Sequence, residues 1–365
     1  MAVDRRLIAA LALLPALAVL PAARADDAPP PRGEWVRCEP GTDACRDRIV
    51  FVPPDLPVDE PVPLVVHLHG CVEGAENAEA ASRWNELAAD PAHPFIVVYP
   101  SEALVGGDEV AGTVNGVQGD GNSTCWNGYH PTTWERGAPE LEAIVNTTRD
   151  VAAAYDIDPN RVYVAGMSSG GIMAVVMAAT YPDVFAAAGI FAGCPFAACS
   201  DGSGQLAFDA MGEHARAVPM LVAVGSADHL LGVNNNRAIV NEWLGVADLA
   251  DDGAMNLTVD RTPASTDDSN GLDPSDLDTV GSQTDICARP LRASFCYGGA
   301  LGWADYPYTV EHYDDDAGAP LVDFWLVHGL GHAYPAGPAD ADFTDTHGPW
   351  ITAAMWDFFT AHPMG

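Results

Sequence analysis

Gly166-Met167-Ser168-Ser169-Gly170 sets a serine between glycines, after an apolar run of β type that includes Val162-Tyr163-Val164 and before an amphipathic helical pattern. Flanking glycines permit a strand-to-helix turn so sharp that the serine hydroxyl stands clear of the sheet on strained backbone. Ser168 is therefore the predicted nucleophile. The chain holds 35 glycines, so the strand-turn-helix context carries this assignment rather than the pentapeptide alone.

A serine hydroxyl is a weak nucleophile until a base takes its proton, and the imidazolium so formed needs a carboxylate to orient and stabilise it. An elbow serine is followed in chain order by the acid and then the histidine, each on a loop after a later strand. After the apolar run Met220-Leu221-Val222-Ala223-Val224 comes Gly225-Ser226-Ala227-Asp228, which makes Asp228 the predicted acid. Asp323 competes for that role but falls inside a strand pattern. The 321–327 run leads into His328-Gly329-Leu330-Gly331-His332, where two glycines let the loop bend back over the sheet edge. His332 is the predicted general base, and His328, at the strand end, reads as structural. Negative charge developing on a carbonyl oxygen needs aimed donors. The N–H of Ser169 and that of Cys71, in the loop His69-Gly70-Cys71, are the candidates for this oxyanion hole.

These groups need a frame. The 48–53, 63–69, 95–99, 184–191, 220–224 and 321–327 stretches read as strands, several of them apolar throughout, as in a parallel sheet covered on both faces. Helical patterns fall at 82–90, 139–155, from the elbow to Tyr181, at 234–244 and at 350–359, with Pro139 suited to a first turn. Strands alternating with helices predict an α/β domain with a mostly parallel sheet covered by helices on both faces. Residues 253–305 break the alternation. This loop insertion is rich in Asp, Ser, Gly and Pro; its acids Asp267, Asp268, Asp273, Asp276 and Asp278 fit no EF-hand spacing, and no metal site is expected.

Residues 1–25 read as a signal peptide: Arg5 and Arg6 precede an apolar run that is short for a membrane span and is interrupted by Pro15, and Ala23-Arg24-Ala25 has the small-x-small form of a cleavage site. A Pro-rich linker at 26–34 leads to a single domain at 35–365. Removing the segment takes away one acid and three bases, so the net charge of −35 becomes −37. Such a surface repels nucleic acid and anionic lipid. The predicted product is a secreted, extracellular or periplasmic, monomeric protein, off the membrane once the signal is cleaved. Eight cysteines in an exported chain suggest disulfides. Many connectivities are open; spacing suggests Cys38 with Cys45, Cys194 with Cys199 and Cys287 with Cys296, which leaves Cys71 with Cys125.

Taken in order, His69-Gly70-Cys71, Cys125-Trp126-Asn127, the elbow with Gly171, Tyr181-Pro182-Asp183-Val184-Phe185 and Gly331-His332-Ala333-Tyr334-Pro335 resemble the secreted polyhydroxybutyrate depolymerase-like esterases, whose relatives act on feruloyl and acetyl esters of xylan. The resemblance implies an α/β-hydrolase fold, no cofactor, the roles given above for Ser168, Asp228, His332 and Cys71, and substrate contacts at Trp126 and Tyr129. Two positions depart from the pattern: Glu73 stands where glutamine is usual, and Gly128 where a second aromatic residue often follows Trp-Asn. The expected activity is hydrolysis of short hydroxyacyl polyester, with an insoluble polymer among the expected substrates. Feruloyl or acetylxylan ester cleavage is the alternative, and a non-catalytic binding protein on a hydrolase scaffold the remote one.

Overall fold

Every residue of the 62–68 run is buried, His67 included. Both faces of this strand are therefore covered, as its apolar run, interrupted only at His67, predicts. The computed structural model describes residues 31–37, 46–57, 60–91, 94–101, 125–199, 202–269, 306–315 and 317–365. The expected export segment, the Cys38/Cys45 and Cys287/Cys296 pairs, and Asp273, Asp276 and Asp278 lie outside the described residues.

Ten described strands form one sheet: β1 Glu34–Val36, β2 Arg48–Phe51, β3 Val62–Leu68, β4 Ile96–Pro100, β5 Ile157–Met167, β6 Ala187–Phe191, β7 Met220–Gly225, β8 Ser265–Asp268, β9 Tyr308–Asp314 and β10 Pro320–Val327. Their spatial order is β1-β2-β4-β3-β5-β6-β7-β10-β9-β8. The six central strands, from β4 to β10, run parallel, and β2, β1, β9 and β8 continue the sheet antiparallel at its edges. The described helices are α1 Ala75–Ser82, α2 Trp84–Ala88, α3 Pro139–Ala154, α4 Ser169–Thr180, α5 Phe196–Cys199, α6 Gln205–Met211, α7 Val233–Asp252 and α8 Ile351–Ala361.

Side chains alternate between two cores, one on each face of the sheet. Leu64, Val66 and Leu68 of β3 meet Leu141 and Ile144 of α3, Met173 and Met177 of α4, and Ile239 and Trp243 of α7. Val65 on the opposite face joins Ala78 of α1, Trp84 of α2, and Met355 and Phe359 of α8. The mostly parallel, helix-covered sheet expected from the sequence is present.

Several elements differ from expectation for local reasons. The helical stretch 82–90 is two helices divided at Arg83, whose φ is 59°. α1 covers the sheet with Ala75, Ala78 and Ala81, so no stripe of large apolar residues marks it. α7 runs past 244 to Asp252 and stops where Gly253 takes φ 81°, a left-handed cap suited to glycine. β8, at the start of the expected 253–305 loop, is a polar, fully exposed edge strand. It carries no alternation of apolar residues to read.

α8 is fixed by aromatic packing. Phe359 stacks on Trp84 at 6.0 Å and on Tyr163 at 4.7 Å, with ring planes 4° and 7° apart. Phe359→Ala leaves a cavity between three elements, and urea denaturation should show a loss of about 3–5 kcal/mol.

Candidate active site

The elbow depends on two missing side chains. A Cβ at Gly166 would lie 2.3 Å from the carbonyl oxygen of Gly170, and one at Gly170 would lie 2.1 Å from that of Leu68. α4 can press its first turn against β5 and β3 only because both positions are glycine. Between them Ser168 takes φ 56°, ψ −123°, a conformation that costs a side-chain-bearing residue about 1–3 kcal/mol. The strain is held by the Ser168 N–H donating to Phe191 O at 3.0 Å and the Ile172 N–H donating to Ser168 O at 2.9 Å.

Ser168, Asp228 and His332 all follow the C-terminal ends of strands in the parallel part of the sheet: β5, β7 and β10. The loops after β7 and β10 are joined by backbone bonds. Ser226 N–H donates to Val327 O and Ala227 N–H to Leu330 O, both at 2.9 Å. A Cβ at Gly225 would sit 2.1 Å from Leu330 O, so glycine is again what allows the approach. This brings Asp228 Oδ2 to 2.8 Å from His332 Nδ1, with both side chains buried. Asp228 Oδ1 accepts the N–H groups of Leu230 at 2.8 Å and Leu231 at 3.0 Å. Burial alone would raise the Asp228 carboxyl, but the His332 bond and these N–H donors hold it below its ordinary value. With Asp228 ionised, His332 donates from Nδ1 and its Nε2 is left as the basic nitrogen.

The Cys71 loop lies against Ser168: a Cβ on Gly70 would come within 3.5 Å of Ser168 Cβ. A disulfide joins Cys71 to Cys125, and a second joins Cys194 to Cys199, the two described pairs among those expected. Trp126 is fully buried and packs on the His69 ring at 5.0 Å, so in this structure it supports the loop from beneath. Tyr129 is half-buried, and burial together with nearby Glu140 pushes its phenol upward. The Ser169 hydroxyl is buried without a hydrogen-bond partner. Asp323 lies within β10, paired to His312 Nδ1 at 2.7 Å, away from His332. His328 is buried at the strand end with Nε2 2.9 Å from Thr309 Oγ1.

Two groups were not anticipated. His67 lies inside β3, where Trp84 Nε1–H donates to its Nδ1 at 3.1 Å and Tyr334 Oη sits 3.2 Å from its Nε2. The indole donor fixes the tautomer, leaving Nε2–H to donate to Tyr334, two residues after His332. A histidine within an otherwise apolar strand was the available signal, because a buried imidazole must find partners. The second is an apolar cluster of Ile172, Cys194 and Leu231, flanked by Leu230 and Cys199. It joins the first turn of α4 to the residues that follow Asp228.

Residues 47–231 match the Esterase PHB depolymerase family, a span that includes Cys71, Ser168 and Asp228 and ends before His332. The chain is 31% identical over 304 residues to poly(3-hydroxyalkanoate) depolymerase C of Paucimonas lemoignei, covering 82% of this chain and 61% of that protein. It is 34% identical over 157 residues to feruloyl esterase B of Neurospora crassa, covering 42% of this chain and 46% of the relative. It thus spans about three-fifths and under half of these relatives' lengths. The solved acetyl xylan esterase from Aspergillus awamori superposes with a TM-score of 0.57 over 90% of this chain and 98% of that one, at 19% identity. That likeness is one of fold, and the fold is that of the α/β hydrolases.

The two buried imidazoles beneath the site make stability depend on pH. Burial lowers His67 to about 3 and His69 to about 4, from 6.5. The unfolded chain therefore binds these protons at a pH where the folded chain does not, and stability falls as pH falls below 6.5. Asp228, held below 3.8, adds its loss only under that value. Urea unfolding between about pH 5.5 and 4.5 should lose roughly 2–3 kcal/mol per pH unit from the two imidazoles together. A flat profile across that window would contradict their neutrality.

Proposed function

The chain belongs to the Esterase PHB depolymerase family, and from that premise we propose that it is a serine esterase working through an acyl-enzyme on Ser168. The observation that carries this reading is the Asp228–His332 hydrogen bond of 2.8 Å, set at the same sheet edge as a serine on strained elbow backbone. His332 Nε2 takes the Ser168 proton as Oγ attacks the ester carbonyl, while Asp228 stabilises the imidazolium. The Cys71 and Ser169 N–H groups receive the charge that develops on the carbonyl oxygen. On collapse the C–O bond to the leaving alcohol breaks, and that alcohol takes its proton from His332. Water, deprotonated by His332, then attacks the acyl-serine, and the acyl–Oγ bond breaks as Ser168 Oγ takes that proton back from His332, releasing the carboxylic acid. The scheme needs no cofactor.

The proposed substrate is a short hydroxyacyl polyester of the polyhydroxybutyrate type. Support comes from the Paucimonas relative, named a poly(3-hydroxyalkanoate) depolymerase, and from the aliphatic cluster of Ile172 and Leu231 between the nucleophile's helix and the Asp228 loop. Tyr129, half-buried in the segment that follows Cys125, is the proposed substrate contact. The second reading is cleavage of feruloyl or acetyl esters on plant polysaccharide, favoured by the relative named feruloyl esterase B. Secretion after cleavage of 1–25 is part of the proposal. The two described disulfides favour an oxidising compartment, and no described helix is long and apolar enough to cross a membrane.

A fluorophosphonate should label the folded protein at Ser168 alone. Ser168→Ala should lower turnover by about four orders of magnitude or more, and Asp228→Asn by roughly as much, because the imidazole loses its orienting carboxylate. Rates on polyhydroxybutyrate film, methyl ferulate and acetylated xylan should be highest on the film. A lead for methyl ferulate or acetylated xylan transfers the assignment to the second reading, and absence of a Ser168 adduct refutes both.

A further inference from the structure

The oxyanion loop is held by a carboxylate. Glu73 is buried, and its Oε2 accepts the Gly70 N–H at 2.6 Å. Its Oε1 accepts the Asn77 amide at 2.5 Å. Asn77 in turn holds the backbone of residue 342 from both sides: its Nδ2 donates to Asp342 O at 3.3 Å and its Oδ1 accepts the Asp342 N–H at 3.2 Å. That backbone belongs to the His332 loop, because Tyr334 N–H donates to Phe343 O and Asp345 N–H to Tyr334 O, both at 2.7 Å. One hydrogen-bonded line therefore runs from Gly70 through Glu73 and Asn77 to the segment that carries His332.

The consequence for Cys71 follows from the planar trans peptide, in which N–H and C=O point in opposite directions. Gly70 O accepts from His69 Nδ1 at 2.7 Å, which fixes the plane of the Gly70–Cys71 peptide and with it the direction of the Cys71 N–H. Glu73 fixes the preceding plane through the Gly70 N–H. It also occupies that N–H, so the donor this loop leaves for a substrate oxygen is the next one, on Cys71. A Cβ at Gly70 would lie 2.8 Å from Glu73 Oε2, so a side chain there would push the carboxylate from this position. The two N–H donors on its oxygens offset the charge of a carboxylate close to where an oxyanion would form.

We propose that Glu73 is a positioning residue of the acyl-transfer site, aligning the Cys71 N–H and tying the oxyanion loop to the His332 loop through Asn77. This rests on the esterase reading above. Because an aligned donor matters most when charge has developed, its loss should appear in kcat and not in KM. With a soluble p-nitrophenyl ester, Glu73→Ala should lower kcat roughly 10- to 100-fold and change KM by less than about threefold. Glu73→Gln keeps an acceptor for the Gly70 N–H and should restore kcat to within about fivefold of wild type. Asn77→Ala should lower kcat with KM held.

Unaltered kcat in Glu73→Ala, or a Glu73→Gln variant as slow as Glu73→Ala, overturns the proposal. If Glu73→Ala fails to fold, as read by its melting curve, Asn77→Ala and Glu73→Gln decide: an unaffected Asn77→Ala overturns it. Fluorophosphonate labelling and ester turnover of the wild-type protein are measured first. A wild type that neither labels nor turns over refutes the esterase reading itself, whereas an active wild type with an indifferent Glu73→Ala refutes only the role given to Glu73.

Discussion

Backbone contact between α4 and the strands it follows is the constraint on which the rest of the site depends. With no Cβ at Gly166 or Gly170, the Gly170 carbonyl in the first turn of the helix lies against Gly166, and Gly170 itself lies against the carbonyl of Leu68. The chain then has no room to relax Ser168 out of its positive φ. The strain is small beside the apolar area buried by α4, every residue of which is buried. A well-packed helix can therefore hold a strained residue at its N-terminus without loss of the fold.

The same device, glycine where two backbones meet, recurs at Gly225, where the acid loop closes on the histidine loop. Around these close approaches the polar groups are arranged in layers. Asp228 and His332 form a buried pair at the C-terminal edge of the sheet. Beneath them Trp84, His67 and Tyr334 link β3 to the histidine loop, and Tyr334 stacks on Phe191, whose carbonyl accepts the Ser168 N–H. Burial keeps His67 neutral, so it can accept from one partner and donate to the other. Beside this layer, Glu73 and Asn77 link the Gly70–Cys71 loop to the same segment. The loops that carry Cys71, Ser168, Asp228 and His332 are thus joined through side chains and through main chain, which restricts their independent movement.

The sequence by itself determined the central parallel strands, the helices with large apolar stripes, and the serine, aspartate and histidine at strand ends. Each of these is encoded locally: by continuous apolar runs, by 3-4 spacing, or by glycines that announce a turn. It did not determine α1, whose buried face is alanine, or β8, whose residues are polar and exposed. Those elements exist because a neighbour is present to pair with or to cover, and a neighbour is not written in the local pattern. Tertiary structure alone decided that Trp126 lies beneath the His69 loop, that His67 bridges Trp84 and Tyr334, and that Glu73 takes the Gly70 N–H rather than facing solvent. Hydrogen bonds between residues 67 and 334, or 77 and 342, have no signature at any sequence spacing, because their geometry is set by how the loops at the C-terminal edge of the sheet fold over one another.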